Sequence, residues 1–371
     1  MEPILKLGLL LMLAQAPTTA DLTRQFNKAL ELQRKGDFEG AETAYREILR
    51  AAPQYAEAHA NLGAVLVRLD RYEEAIREYE TALQLSPQLN PVLLNIGIAH
   101  FRRSSYTRAV DAFKRFLDVS PGHLQATQLT AMALVELGRD EEALKYLEPA
   151  LASSPNDPAL IYALGLASLR LRKPMVNGAI KALAETPGGL PASHLLQGQA
   201  NLNNFRFEKA VEDLEAARKL NPELPRLHYS LGLAYFKTDR FDDARAAFES
   251  ELTRTPKDVS SLCYLASMDE KEAKLESARR RLDVALSVDP TSPDANWLLG
   301  KVLIAQGRPA EAVRPLQIAV SSDPLDAQKR YQLARAYRQI GRREDAEREL
   351  AEMKRIQALE FEKDQSKVIK P

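Results

Sequence analysis

The feature that leaves this chain the fewest options is a period of about 34 residues. Prolines close short apolar and acidic runs at Pro53, Pro87, Pro121, Pro155, Pro187, Pro222, Pro256, Pro290 and Pro324, with successive spacings of 34, 34, 34, 32, 35, 34, 34 and 34 residues. A small residue recurs in a second register, at Ala29, Gly63, Gly97, Ala131, Gly165, Gly198, Gly232, Ala266, Gly300 and Ala334. Alanine marks a third, at Ala41, Ala75, Ala109 and Ala143 and again at Ala210, Ala244, Ala278, Ala312 and Ala346. A length of 371 residues would ordinarily suggest two or three globules. A sustained repeat overrides that expectation, because each unit buries its apolar face against the next copy.

Within a unit, apolar residues recur three and four apart on either side of a short polar turn, such as Leu69-Asp70-Arg71 or Thr238-Asp239-Arg240, which reads as two amphipathic helices. The small residues allow the two helices to approach closely, and large partners such as Leu62, Tyr79, Leu231 and Phe248 fill the remaining space. The prolines end the second helix and set the path into the next unit. The fifth unit is irregular. Its Arg172-Lys173-Pro174 stretch is read as losing the usual turn, and the glycines between Pro187 and Pro191 mark a bend.

These residues resemble the tetratricopeptide repeats. The match is carried by Ala58-His59-Ala60-Asn61-Leu62-Gly63 with Tyr72-Glu73-Glu74-Ala75, Tyr79, Ala82 and Pro87, and by Leu227-His228-Tyr229-Ser230-Leu231-Gly232 with Tyr235, Phe241, Ala244, Phe248 and Pro256. Where that family often has tryptophan early in the first helix, this chain has His59, Leu93, Ile161, His194, His228 and Asn296. The resemblance implies an all-α, right-handed α-solenoid superhelix of about ten helix-turn-helix units, from Leu22 to about Glu360. We divide it into residues 21–189 and 190–360, about five repeats each, followed by a charged tail, 361–371, read as disordered.

Residues 1–20 differ in character. Lys6 precedes the apolar run Leu7 to Ala14, and small residues follow up to Ala20, the pattern of a secretory signal cleaved before Asp21. The run is too short for a permanent span, which needs about 20 apolar residues. The alternative is a helical extension of the repeats. Export to a periplasmic or secreted location is therefore the expectation, with a cytoplasmic location as the alternative.

Chemistry is hard to find. Lysine plus arginine (51) balances aspartate plus glutamate (51), so no positive field favours nucleic acid. Cys263 is the only cysteine, which excludes an intramolecular disulfide; it lacks a neighbouring His or Lys to activate it and reads as a packing or groove residue. His59, His194 and His228 occupy equivalent places in different units and cannot converge on a metal. Carboxylate runs such as Glu73-Glu74 and Asp140-Glu141-Glu142 suit helix starts. No phosphate loop, zinc helix or nucleophile elbow occurs, so the reading is non-catalytic, with no cofactor and no metal.

The resemblance implies that the first helices line a concave groove. Carried over by register, the groove residues are Leu94, Ile98 and Phe101; Gln128, Met132 and Val135; Tyr162, Leu166 and Leu169; Leu195, Gln199 and Leu202; Tyr229, Leu233 and Phe236; then Trp297, Lys301, Tyr331, Arg335 and Arg338. Packing between adjacent first helices accounts for Phe101, Tyr162, Tyr229 and Phe236. It accounts less well for Ile98, Met132, Leu166 and Leu233, which are expected to form an exposed apolar strip. Ala60, Ala64 and Leu94 stand where some family members clamp a terminal carboxylate, so that activity does not carry over. The expected partner is a protein or peptide with an apolar segment, within a scaffold, assembly or adaptor role that leaves room for a peripheral membrane complex. The sequence does not specify the oligomeric state.

Overall fold

The computed structural model describes the backbone of residues 18–368 and the side chains of residues 18–359. The chain divides between Gly189 and Leu190 into two compact units, and no strand occurs among the described residues. In the first unit, α1 (Thr19–Lys35), α3 (Ala56–Arg68), α5 (Pro91–Arg102), α7 (Leu124–Glu136) and α9 (Pro158–Arg170) are the first helices of five repeats. They alternate with α2 (Phe38–Ala51), α4 (Tyr72–Leu85), α6 (Tyr106–Val119), α8 (Asp140–Ser153) and α10 (Met175–Glu185). In the second unit, α11 (Leu190–Asn203), α13 (Leu227–Lys237), α15 (Val259–Lys271), α17 (Pro293–Ala305) and α19 (Ala327–Gln339) alternate with α12 (Phe207–Leu220), α14 (Phe241–Arg254), α16 (Leu275–Val288), α18 (Pro309–Ser322) and α20 (Arg343–Val368).

Each second helix from α2 to α18 stops two residues before one of the periodic prolines. A proline disfavours helical geometry in the residue before it, and Ser86, before Pro87, accordingly leaves the helix at φ −142°, ψ 85°. The turn inside each repeat is just as regular. Gly36, Asp70, Ser104, Gly138 and Arg172 in the first unit, and Phe205, Asp239, Ala273, Gly307 and Gly341 in the second, all adopt positive φ between 54° and 81°. The amide after each one bonds back to the closing turn of the first helix, as in Arg71 N to Leu66 O (2.9 Å) and Lys274 N to Asp269 O (2.8 Å). This left-handed cap satisfies a carbonyl that the helix end would leave open.

The fifth repeat keeps this turn. Arg172 has φ 54° and Lys173 N bonds Ser168 O at 2.8 Å, so the expectation of a lost turn is corrected. The irregularity lies in α10, which begins only at Met175 and has 11 residues against 14 in the other regular second helices. The tail also differs from expectation: α20 continues to Val368, because no Gly or Pro interrupts the chain between Arg343 and Val368 and strong helix formers dominate it.

The helices of a repeat lock together through size. An added Cβ at Gly63 would come within 2.6 Å of the Tyr79 ring, and one at Gly232 within 2.6 Å of the Phe248 ring. Gly97 bears the same relation to Phe113, and Gly300 to Leu316. The large side chain of the second helix therefore sits directly on the small residue of the first. Tyr79, Phe113 and Phe248 are at most 1% exposed, and each such side chain contributes roughly 1.5–3 kcal/mol on burial. The alanine register completes the contact, since Ala41, Ala75, Ala109 and Ala143 are fully buried.

Donors early in the first helices tie consecutive repeats. His59 Nε2 donates to Pro53 O (2.9 Å), His228 Nε2 to Pro222 O (3.2 Å), Asn296 Nδ2 to Pro290 O (3.0 Å) and Arg330 Nε to Pro324 O (2.9 Å). These residues hold the connecting segments, whose prolines leave the adjacent carbonyls without helical partners.

Two glycine substitutions should separate propensity from packing. Gly178, inside α10, has open space around a would-be Cβ, so Gly178→Ala should stabilise the protein by about 0.5–1 kcal/mol. Gly97→Leu must displace Phe113 and should cost about 1–3 kcal/mol or more. Urea unfolding midpoints measure both.

Candidate functional site

Within each unit the odd-numbered helices touch one another as well as their even-numbered neighbours. α3 meets α5, α5 meets α7 and α7 meets α9 in the first unit, while α11 meets α13, α15 meets α17 and α17 meets α19 in the second. No two even-numbered helices make a contact of comparable extent among the described residues. The odd helices therefore form the inner layer of each unit, and their side chains three before, one after and four after the small residue face along it.

In the first unit this layer is better packed than the sequence suggests. Leu94, Ile98, Phe101, Gln128, Met132, Tyr162 and Leu166 are half-buried, whereas Val135 and Leu169 are only 3% and 9% exposed. Phe101 packs edge-on against Tyr106 at 5.4 Å and, with Leu166, joins the core around Leu134 and Leu160. Val135 and Leu169 are thus core residues rather than groove residues, and Leu195 of the second unit, 1% exposed, is corrected in the same way. The four residues of the expected apolar strip, Ile98, Met132, Leu166 and Leu233, are all half-buried. Of the four, Leu166 packs against the core around Leu134 and Leu160.

The second unit brings three of the expected residues together. Tyr229 and Phe236 of α13 and Trp297 of α17 line a cleft of ≈ 330 Å³ with Cys263, Tyr264 and Ser267 of α15. Tyr264 stacks on Phe248 with ring centroids 5.0 Å apart and planes 7° from parallel, and lies 5.4 Å from Phe236 and 6.3 Å from Tyr229. Positive charge frames the rings: the Arg226 guanidinium lies 4.4 Å over Tyr229, Lys271 Nζ 5.2 Å over Phe236 and Lys301 Nζ 5.0 Å over Trp297. Trp297 Nε1 is buried without a hydrogen-bond acceptor, an unusual state for an indole N–H.

Burial governs protonation here. It pushes the Cys263 thiol up to about 12, assisted by the carboxylates of Asp294 and Asp258, and the Tyr264 phenol up to about 12. Both groups are neutral at physiological pH. The cleft thus presents aromatic walls, the Ser260 and Ser267 hydroxyls, a neutral thiol and the Asp294 carboxylate at one edge.

The remaining predicted residues lie apart from it. Lys301 is committed to Glu270 at 3.1 Å as well as to the Trp297 ring, so it is not a free cationic clamp. Tyr331 is 49% exposed, and Arg335 and Arg338 are exposed without an ion pair among the described residues. Leu202, Gln199 and Leu233 are half-buried on α11 and α13. Sequence reasoning missed Tyr264 and Ser267. Register alone points to Cys263 and Ser267 in that repeat, but Tyr264 is off register and owes its place to Phe248 of the preceding repeat.

The comparisons accord with this architecture. Tetratricopeptide-repeat family models match residues 26–90, 94–158, 129–185 and 195–259, and a second such model matches 271–329. The chain belongs to the tetratricopeptide-repeat family. No curated protein matches it in sequence. Among solved structures, it is similar to the Cut9–Hcn1 hetero-tetramer of the APC/C, at 14% identity over 93% of this chain and 75% of that one, with a TM-score of 0.58. It is also similar to a human IFIT1 dimer with m7Gppp-AAAA, at 17% identity over 92% and 91% of the two chains and a TM-score of 0.52. Identities this low establish the shared fold alone.

The thiol offers a direct check on the cleft. Cys263 should react slowly with an aromatic disulfide reagent at pH 8 in the native protein and at once in denaturant, since burial pushes its thiol up to about 12 in the folded state and leaves little thiolate. Rapid native labelling would show that α15 exposes it.

Proposed function

We propose that the protein is a non-catalytic scaffold that holds a polypeptide segment along an inner, odd-helix layer and anchors its apolar side chains in the Tyr264 cleft. The observation that carries this reading is the cleft itself: four aromatic rings from three consecutive odd helices beside an indole N–H with no acceptor. A peptide supplies both complements, an apolar side chain for the rings and a backbone carbonyl for the indole. The fold is shared with proteins solved with RNA and with a protein partner, and the balanced charge of this chain favours the polypeptide.

The test is capture of a partner by affinity purification, followed by binding measurements on purified components. Ser267→Arg should weaken binding by at least about tenfold by forcing a guanidinium among the rings, with little change in melting temperature. If binding survives this substitution and fails in Arg335→Ala with Arg338→Ala, the segment docks on the cationic end of the layer instead.

We further propose an extracytoplasmic assembly or adaptor role, supported by Lys6, the apolar run Leu7 to Ala14 and the small residues up to Ala20. Residues 1–17 lie outside the described residues. One observation favours the cytoplasmic adaptor alternative. α1 begins at Thr19, and the Thr18 hydroxyl caps it by accepting from Asp21 N at 3.2 Å, so cleavage after Ala20 removes a cap worth about 1 kcal/mol. Amino-terminal sequencing of protein from its native host decides between them: a chain starting at Asp21 in an exported fraction supports export, and an intact Met1 in the cytoplasm contradicts it.

A further inference from the structure

A second pocket opens in the first unit, among α4, α5 and α6. Three places after the small residue, each repeat directs a side chain toward the second helices, at Leu32, Leu66, His100, Leu134, Ser168, Asn201, Tyr235, Asp269, Leu303 and Tyr337. Where this residue is polar in the second unit, a neighbouring side chain satisfies it. Asn201 Nδ2 donates to Asp213 (2.8 Å), the Tyr235 hydroxyl donates to Glu215 (2.8 Å), Asp269 accepts from Arg245 and Ser277 (2.7 Å each), and the Tyr337 hydroxyl accepts from Gln317 (2.9 Å).

In the first unit the pattern fails. His100 is 6% exposed and its Nδ1 has no partner; Ser168 Oγ is the other unpartnered group in this register. His100 lies at a pocket of ≈ 370 Å³, whose floor includes Ile96 and Ala112 and whose walls carry Glu80 and Gln84 from α4 and Arg108, Asp111 and Arg115 from α6. Arg108 and Arg115 are seven residues apart and so share one face of α6. Neither makes an ion pair or side-chain hydrogen bond among the described residues, whereas nearby cations do: Arg71 pairs with Glu42 and Glu74, Arg103 with Glu73, and Lys114 with Glu142.

We propose that this pocket binds a carboxylate, which accepts a hydrogen bond from His100 Nδ1–H and is neutralised by Arg108 and Arg115. An anion fits the local field. Burial first, then the charges of Arg108 and Arg103, hold the imidazole below its ordinary pKa, so the ring is neutral at pH 7; of the cations lining its pocket, Arg108 and Arg115 have no ion-pair partner among the described residues. Glu80 and Asp111 confine the ligand to a compact group, because a large polyanion would meet both carboxylates. The site belongs to the face of α5 opposite the inner layer and stands independently of peptide binding there. An acidic side chain of a partner and a free small acid present the same group.

The test is a titration of the full chain, observed through the His100 imidazole by NMR with histidine-labelled protein. N-acetyl-glutamic acid amide should shift the resonance saturably and raise the imidazole pKa, while N-acetyl-glutamine amide, its neutral isostere, should leave both unchanged. Acetate in a parallel titration distinguishes the sources: equal affinity identifies a site for free small acids, and weaker binding one for acidic side chains. Arg108→Gln or Arg115→Gln should each lower affinity by about tenfold, as expected for loss of one charged contact. His100→Leu, titrated with N-acetyl-glutamic acid amide by calorimetry, should show no binding yet leave the protein at least as stable, since Leu66 and Leu134 fill the same place in the flanking repeats. The proposal is overturned if neither carboxylate produces a saturable shift, if the glutamine isostere binds equally, or if a protein carrying both Arg108→Gln and Arg115→Gln binds unchanged. A destabilised His100→Leu protein would overturn it too, by making the imidazole a packing element.

Discussion

The contact on which the rest of this structure depends is the seating of one large side chain on one small residue. Tyr79 on Gly63, Phe113 on Gly97, Phe248 on Gly232 and Leu316 on Gly300 hold the two helices of a repeat at one distance and one rotation. That rotation decides what every other position can see. Positions three before, one after and four after the small residue face neighbouring odd helices, and the position three after it faces the second helices. The left-handed turn then returns the chain at a constant angle, with Gly, Asp, Ser, Arg, Phe or Ala at its centre. Non-glycine residues hold φ > 0 there because the returning amide bond is made in every repeat.

The fold was legible in the sequence because its determinants are periodic. Proline spacing marks where second helices end, and the small-residue register marks where they cross. The misread parts are those in which backbone geometry overrides residue identity. Arg172 shows no turn signal, yet the Lys173 to Ser168 bond makes the same turn that Gly36 makes. No Gly or Pro interrupts the chain between Arg343 and Val368, and helix propensity carries α20 on to Val368.

The site was only partly legible, for a related reason. Register groups Tyr229, Phe236 and Trp297, which line one cleft, but it cannot distinguish an apolar side chain that faces solvent from one that faces the next odd helix. Val135, Leu169 and Leu195 belong to the second kind. Tyr264 was invisible because its position depends on stacking against Phe248 from the previous repeat, a contact between registers. His100 was invisible as well, since only the packed structure distinguishes a satisfied buried polar group from an orphaned one. The consequence is a division between layers. The inner layer of the second unit gathers aromatic rings framed by Arg226, Lys271 and Lys301, whereas Arg245 pairs with Asp269 and Glu272.

The central claim is that a polypeptide occupies the Tyr264 cleft, and the chain carries its own reporter there. Trp297 is the only tryptophan, it lines the cleft, and its Nε1 lacks an acceptor. Intrinsic fluorescence during titration with the purified partner segment is therefore the most direct measurement. The account predicts a saturable change in Trp297 emission that follows the binding isotherm, as the indole gains an acceptor and an apolar side chain displaces water from the rings. Full binding with unchanged emission would contradict it and move the polypeptide site elsewhere on the chain.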